Sequence, residues 1–105
     1  VLEHITESLT PLTVAEVAGV QAAKNTFNLI PLCHIVHIAG IRVSARLEDN
    51  AVLVESEAIA MDRTGVEMEA LTAVSVALLT VYDMCKAVDK TMVIGDIVLV
   101  DKRKE

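Results

Sequence analysis

Residues 64–90 read TGVEMEALTAVSVALLTVYDMCKAVDK. Charged groups sit at both ends of this run with almost nothing polar between them, and the pattern predicts one long helix. Thr64 followed by Glu67 fits a capping box, in which the two side chains satisfy orphan N–H groups at the helix start. Glu67 and Glu69 lie where the positive end of the helix dipole favours carboxylates, and Lys86 and Lys90 where the other end favours cations. Leu71, Val74, Val76, Leu78, Leu79 and Val81 fall on all sides of the uncharged middle. A helix apolar all round is buried all round. A chain of 105 residues can hardly achieve that alone, so partner subunits are expected to cover part of it.

Glu69 and Asp83 are about 21 Å apart along such a helix but only ~40° apart around it. They share a stripe, with Thr72, Val76 and Thr80 between them, and cannot reach the same substrate atom within one chain. Two such helices packed antiparallel about a two-fold axis would bring Glu69 of one copy toward Asp83 and Lys86 of the other. The sequence therefore suggests a composite site between subunits. A capped core helix would show much the same pattern, with Asp83 and Lys86 as a modest (i, i+3) ion pair. The same two groups at a buried helix end also suit proton transfer between a carboxylate and an amine.

Composition narrows the choices. The length fits one domain, residues 1–105. Hydrophobic content is 53% but aromatic content only 2%, so the core must be Val, Ile, Leu and Ala, with Phe27 and Tyr82 as its large rings. Few aromatics and a net charge of −6 argue against a nucleic-acid surface, though not against one phosphorylated small molecule in a local basic pocket. Cys33 and Cys85 suggest a reducing compartment or an unimportant pair, and spacing alone assigns no disulfide. No run of ~18 uninterrupted apolar residues predicts a membrane span. No basic stretch followed by an apolar one marks a secretory signal. The expected location is the cytoplasm.

Working outward, residues 1–10 (VLEHITESLT) place Leu2, Ile5 and Leu9 at helical spacing, and Pro11 is expected to break that helix. Thr13 with Glu16 reads as a second capping box opening a helix over residues 13–28, with Val14, Val17, Ala18, Ala22 and Phe27 at helical spacing. Gly19, Ala18, Ala22 and Ala23 would let another element approach closely. Lys24 sits late in this helix, where a solvated lysine complements the dipole. Pro31 stops the helix and extends the residue before it. Cys33 and His34 follow without further ligands at metal-site spacing, so no metal is expected. His34 reads either as a satisfied histidine or as a substrate hydrogen-bond partner, and His37 would face the other side of a strand from it. Residues 41–48 alternate, with Ile41, Val43, Ala45 and Leu47 inward and Arg42, Ser44, Arg46 and Glu48 outward. Asp49-Asn50 is a turn signal, and residues 51–61 form the partner strand, with Glu55 and Glu57 placed to pair with Arg42 and Arg46. Residues 62–65 turn into the long helix. Residues 91–101 (TMVIGDIVLVD) read as a third strand, with a bulge or bend at Gly95. The order predicts an α+β domain: an antiparallel sheet with helices on one face.

Three blocks go further: AGVQAAKNTFNLIPLCH (residues 18–34), the long helical run, and MVIG (residues 92–95). Together they closely resemble the cyclic pyranopterin monophosphate synthase family, the molybdenum cofactor biosynthesis protein C family, over about residues 12–100. The resemblance implies a ferredoxin-like fold, assembled as a homo-hexamer (a trimer of dimers) with the active site at the dimer interface. It implies a lyase acting on a cyclised GTP derivative, giving cyclic pyranopterin monophosphate and pyrophosphate, with no cofactor and no nucleic-acid or membrane partner. By motif, Asp83 matches the family's catalytic aspartate and Lys86 its essential lysine. Leu32, Cys33 and His34 match a substrate-contacting segment, Met68 and Glu69 a second one with Glu67 beside them, and Lys24 the lysine of the AAK motif. Such a rearrangement needs repeated proton transfers, for which a coupled aspartate and lysine are suited, and cations near the departing pyrophosphate. This sequence departs from the family at Ile35, where proline is usual. It also lacks a Lys-Gly-Asp segment before the second helix and a Gly-Gly-Lys-Ser-Gly loop. Loops of that composition are often mobile. Either a longer protein carries them, or a divergent form dispenses with them. The rival functions are a non-catalytic pterin- or nucleotide-binding or oligomerisation module on the same scaffold, and an amino-acid-sensing regulatory domain.

Overall fold

Small residues decide how this chain packs. In the computed structural model, which describes residues 10–61 and 65–100, the order is α1 (Thr10–Lys24), α2 (Thr26–Leu29), β1 (Ile38–Glu48), β2 (Ala51–Ala60) and α3 (Glu67–Cys85). α1 and α3 lie against each other over Gly19, Ala15, Ala22, Ala73 and Ala77, all buried. A Cβ on Gly19 would come within 3.0 Å of both the Ala73 carbonyl oxygen and a Val43 methyl, so only glycine allows this approach. Contact this close has no room for a ring. Phe27, expected in the core, is 43% exposed, and Tyr82 is half-buried. Leu12, Ala45, Val54, Val81 and Cys85 complete the core cluster. Gly19 meets Ala73, and Leu12 shares its cluster with Val81 and Cys85. The two helices therefore run antiparallel.

α1 begins three residues before the expected Thr13. Pro11 is not a breaker but sits buried in the first turn, where its missing N–H is no loss. The helix expected over residues 1–10 lies, Thr10 aside, outside the described residues. The Thr13–Glu16 capping box does not form. Thr13 lies within the helix, and the Glu16 carboxylate accepts a hydrogen bond from the backbone N–H of Ala45 at 2.9 Å. Ala45 is buried, and a buried N–H facing away from the neighbouring strand needs an acceptor. α1 ends at Lys24 rather than Asn28, and the single turn of α2 carries the chain to Ile30. As Pro31 demands, Ile30 is extended (φ −108°, ψ 111°).

The hairpin forms as the alternation requires. β1 and β2 pair antiparallel from Ile38↔Ala60 to Glu48↔Ala51, with Asp49 left-handed in the turn (φ 54°). Ala45 and Val54 face the helices, while Arg42 pairs with Glu57 and Arg46 with Glu55 (2.5 Å) and Glu48 (2.7 Å) on the exposed face. Both helices cover the inner face, giving an α+β arrangement of the ferredoxin-like kind.

Two expectations for the second half need correction. Residues 91–100 form no strand. Asp96 is left-handed (φ 56°) and breaks the extended run in its middle, while Val93 and Val100 are each 90% exposed. Asp101 lies outside the described residues. α3 is also shorter than expected. It starts at Glu67, with Val66 as an N-cap that makes no side-chain bond; Thr64, the partner expected in a capping box, and most of the turn over residues 62–65 lie outside the described residues. It stops at Cys85, where the N–H groups of Val88 and Asp89 fold back onto the Cys85 carbonyl (3.0 and 3.1 Å). Asp89 then accepts from the N–H and hydroxyl of Thr91 (2.8 and 2.6 Å), which holds its carboxyl below the usual range. By length and apolarity α3 could cross a membrane, but it packs on α1 and on both strands as the central helix of this fold.

Candidate functional site

α3 is not buried all round. Its buried residues are Glu69, Ala73, Ala77, Val81 and Cys85, a line of four-residue steps, whereas Met68, Leu79 and Asp83 are exposed. Each four-residue step turns about 40°, so the covered line winds roughly 160° around the helix between Glu69 and Cys85. Asp83 stays within ~40° of Glu69 in angle but has been left behind by the packing face. The angular reading of the pair was sound; their shared surroundings were not. Glu69 is 3% exposed, whereas the side chains of Asp83 and Lys86 are 72% and 60% exposed.

The site residues thus separate into two groups. Lys24, Glu67, Met68 and Glu69 lie at one end of the fold, and Leu32, Cys33 and His34 sit on the segment that joins α2 to β1 there. There α1 ends, β1 begins, β2 ends and α3 starts. The Met61 N–H bonds to the His37 carbonyl (2.9 Å), and the Ser56 hydroxyl donates to the Ala70 carbonyl (2.7 Å), tying these element ends together. The Leu32–Cys33–His34 segment is bracketed between Leu29 and His37 at this end. Leu32 has a left-handed backbone (φ 63°) and a fully exposed side chain, a conformation that costs an L-residue about 1 kcal/mol. His34 is exposed, and the half-buried Cys33 thiol donates weakly to the His34 carbonyl at 3.5 Å. Both cysteines are free thiols. Burial pushes the Cys85 thiol up.

Asp83 and Lys86 occupy the far end, Asp83 in the last turn of α3 and Lys86 at its C-cap. The Lys86 ammonium donates to the Asp83 carboxylate at 2.8 Å. This hydrogen bond, reinforced by the opposite charge, raises the lysine above its ordinary value. The pair is solvent-screened and holds little of the fold together. The buried helix end expected here is open to solvent within one chain. Among the described residues no three His, Cys, Asp or Glu side chains gather to hold a metal ion. Chemically, one end offers hydrogen-bond partners and a buried carboxylate, and the other a coupled acid and amine, with about 21 Å of helix between them.

Comparison with known proteins agrees with the blocks that carry this geometry. The chain is 52% identical over 91 residues to cyclic pyranopterin monophosphate synthase of Peptoclostridium acidaminophilum, covering 87% of this chain and 58% of that protein. It is 57% identical over 93 residues to the Clostridium perfringens (strain 13 / Type A) protein of the same name (87% and 59%). For the Heliobacterium modesticaldum protein, also of that name, the figure is 55% over 93 residues (87% and 58%). The chain thus spans less than two thirds of the length of these relatives. The family model that it matches, over residues 3–105, is that of the MoaC family, and the chain belongs to that family.

Proposed function

We propose that this chain forms the core of a cyclic pyranopterin monophosphate synthase in molybdenum cofactor biosynthesis. It converts (8S)-3′,8-cyclo-7,8-dihydroguanosine 5′-triphosphate into cyclic pyranopterin monophosphate with loss of pyrophosphate. The observation that carries this reading is the separation of its two site groups along α3 together with the uncovered face between them. Asp83 and Lys86 act as the proton-transferring pair, the lysine serving as donor and the aspartate as acceptor. His34, Glu69, Met68 and the backbone around Leu32 and Cys33 receive the guanine-derived end. Since the two groups cannot meet within one chain, a second copy supplies the missing half, in a homo-hexamer built as a trimer of dimers. The small polar substrate fits a cytoplasmic enzyme.

A binding module without turnover is the second reading, favoured by the sequence before the second helix. There Ser8-Leu9-Thr10-Pro11-Leu12 runs through without the lysine that the family usually carries. One experiment separates the two: the cyclised GTP intermediate is supplied, and pyrophosphate release and the oxidised fluorescent pterin are measured. Turnover that Asp83→Asn abolishes, with circular dichroism and sedimentation unchanged, supports the enzyme. Tight binding without turnover supports the module, and loss of assembly in Asp83→Asn assigns Asp83 a structural role instead.

A further inference from the structure

We infer that Thr91 is a positioning residue for the Asp83–Lys86 pair: it holds the Asp89 carboxylate inside the turn after α3, which leaves Lys86 to Asp83. The inference rests on the proposed function for what the pair does, and on the geometry of the turn for how it is held. That turn is pinned at both ends in one core. Cys85 is fully buried in the cluster that Leu12 and Val81 share, and Met92 packs against the same cluster. Residues 86–91 arch between them. Lys86 keeps helical backbone angles (φ −61°, ψ −25°) as the C-cap of α3, with its N–H on the Tyr82 carbonyl. The N–H groups of Val88 and Asp89 then both bond to the Cys85 carbonyl, so the chain makes one more turn of helical type before it leaves.

Helical spacing gives Lys86 two carboxylates to choose from. Asp83 lies three residues before it and Asp89 three residues after it, and either spacing brings side chains together on a helical turn. Lys86 bonds to Asp83 at 2.8 Å, and among the described residues the groups that act on its charge are the Asp83 carboxylate and the Tyr82 hydroxyl. Lys90, the other cation of the turn, is exposed. Asp89 is engaged elsewhere. One of its oxygens accepts from both the N–H and the hydroxyl of Thr91 (2.8 and 2.6 Å). An exposed ion pair is weak, so two carboxylates at equal spacing would share the ammonium on near-equal terms. Two hydrogen bonds to one of them are enough to decide the contest. A lysine that gives up a proton needs one acceptor at a fixed place. Thr91 itself is exposed, so its hydroxyl serves the turn rather than the packing of the core.

The test is NMR titration of Lys86 in the assembled protein, run beside turnover of the cyclised GTP intermediate. Thr91→Val removes the hydroxyl and keeps the N–H. A freed Asp89 carboxylate then favours the charged lysine, so Lys86 should titrate higher than in the parent. kcat should fall about two- to threefold at unchanged KM, as near-equal sharing of the ammonium requires. The limb of the pH–rate profile on which the lysine loses its proton should move to higher pH in step. Adding Asp89→Asn to Thr91→Val removes the rival charge and should return both the titration and kcat to the parental values, whereas a merely structural turn would gain nothing from it. A Lys86 titration that Thr91→Val leaves in place, or a double variant no better than Thr91→Val, overturns the inference. The titration needs no turnover. Titrations as expected in a protein that never converts the intermediate keep Thr91 in its role and sink the enzyme reading. Turnover that Asp83→Asn abolishes and Thr91→Val leaves untouched does the reverse.

Discussion

At the scale of single residues, Glu16 shows how one side chain can carry two readings. Thr13 and Glu16 have the spacing of a capping box, yet the carboxylate serves the buried N–H of Ala45 on a strand 29 positions later. Local spacing could not reveal this, because the need arises only once β1 lies under α1. Glu16→Ala should leave that N–H without an acceptor and cost about 1–3 kcal/mol, read as a lower urea midpoint; Glu16→Gln, which keeps an oxygen acceptor, should lose less. An unchanged midpoint in Glu16→Ala would mean that water or a neighbour replaces the carboxylate. The candidate site residues stand out in the sequence as motifs, since LCH, GVEME and YDMCKA are continuous there. Their exposure does not: whether Asp83 is buried depends on which way the neighbouring helix crosses.

At the scale of elements, the hairpin was the most readable part of the chain. Strict alternation over residues 41–48, a turn signal at Asp49-Asn50 and complementary charges at Arg42, Arg46, Glu55 and Glu57 fix both pairing and face. Helix boundaries were less readable. The first-turn proline permits a start that looks like a stop, and the end of α3 is set by a turn rather than by the lysines beyond it. The third strand failed because apolar alternation specifies a face and not a partner, and the left-handed Asp96 interrupts it. The α1–α3 contact has a sharp test. Gly19→Ala places a methyl against a backbone carbonyl that cannot step aside, and should destabilise the fold by about 1–3 kcal/mol, measured by thermal or urea unfolding. A variant as stable as the parent would show that the helices have room to move apart.

At the scale of the whole molecule, the chain leaves much of its apolar surface uncovered. Leu79 is 59% exposed on α3, and Val93, Val98 and Val100 are exposed beyond it. The uncharged length of the helix made covering subunits an expectation of the sequence, while the fraction that one chain covers by itself was not legible there. Leu79→Asp should yield a folded protein that sediments as a smaller species; a variant sedimenting like the parent would place the contact elsewhere. The division of the site between the two ends of α3 also has a genetic consequence. Two inactive variants, Asp83→Asn and His34→Ala, each damage a different end. Unfolded together in equal amounts and reassembled, they should recover about a quarter of the parental rate, because a random pairing of copies reunites an intact Asp83 with an intact His34 that often. A site drawn from one chain would recover nothing, since every chain in the mixture is defective, so complementation counts the subunits that each reaction uses.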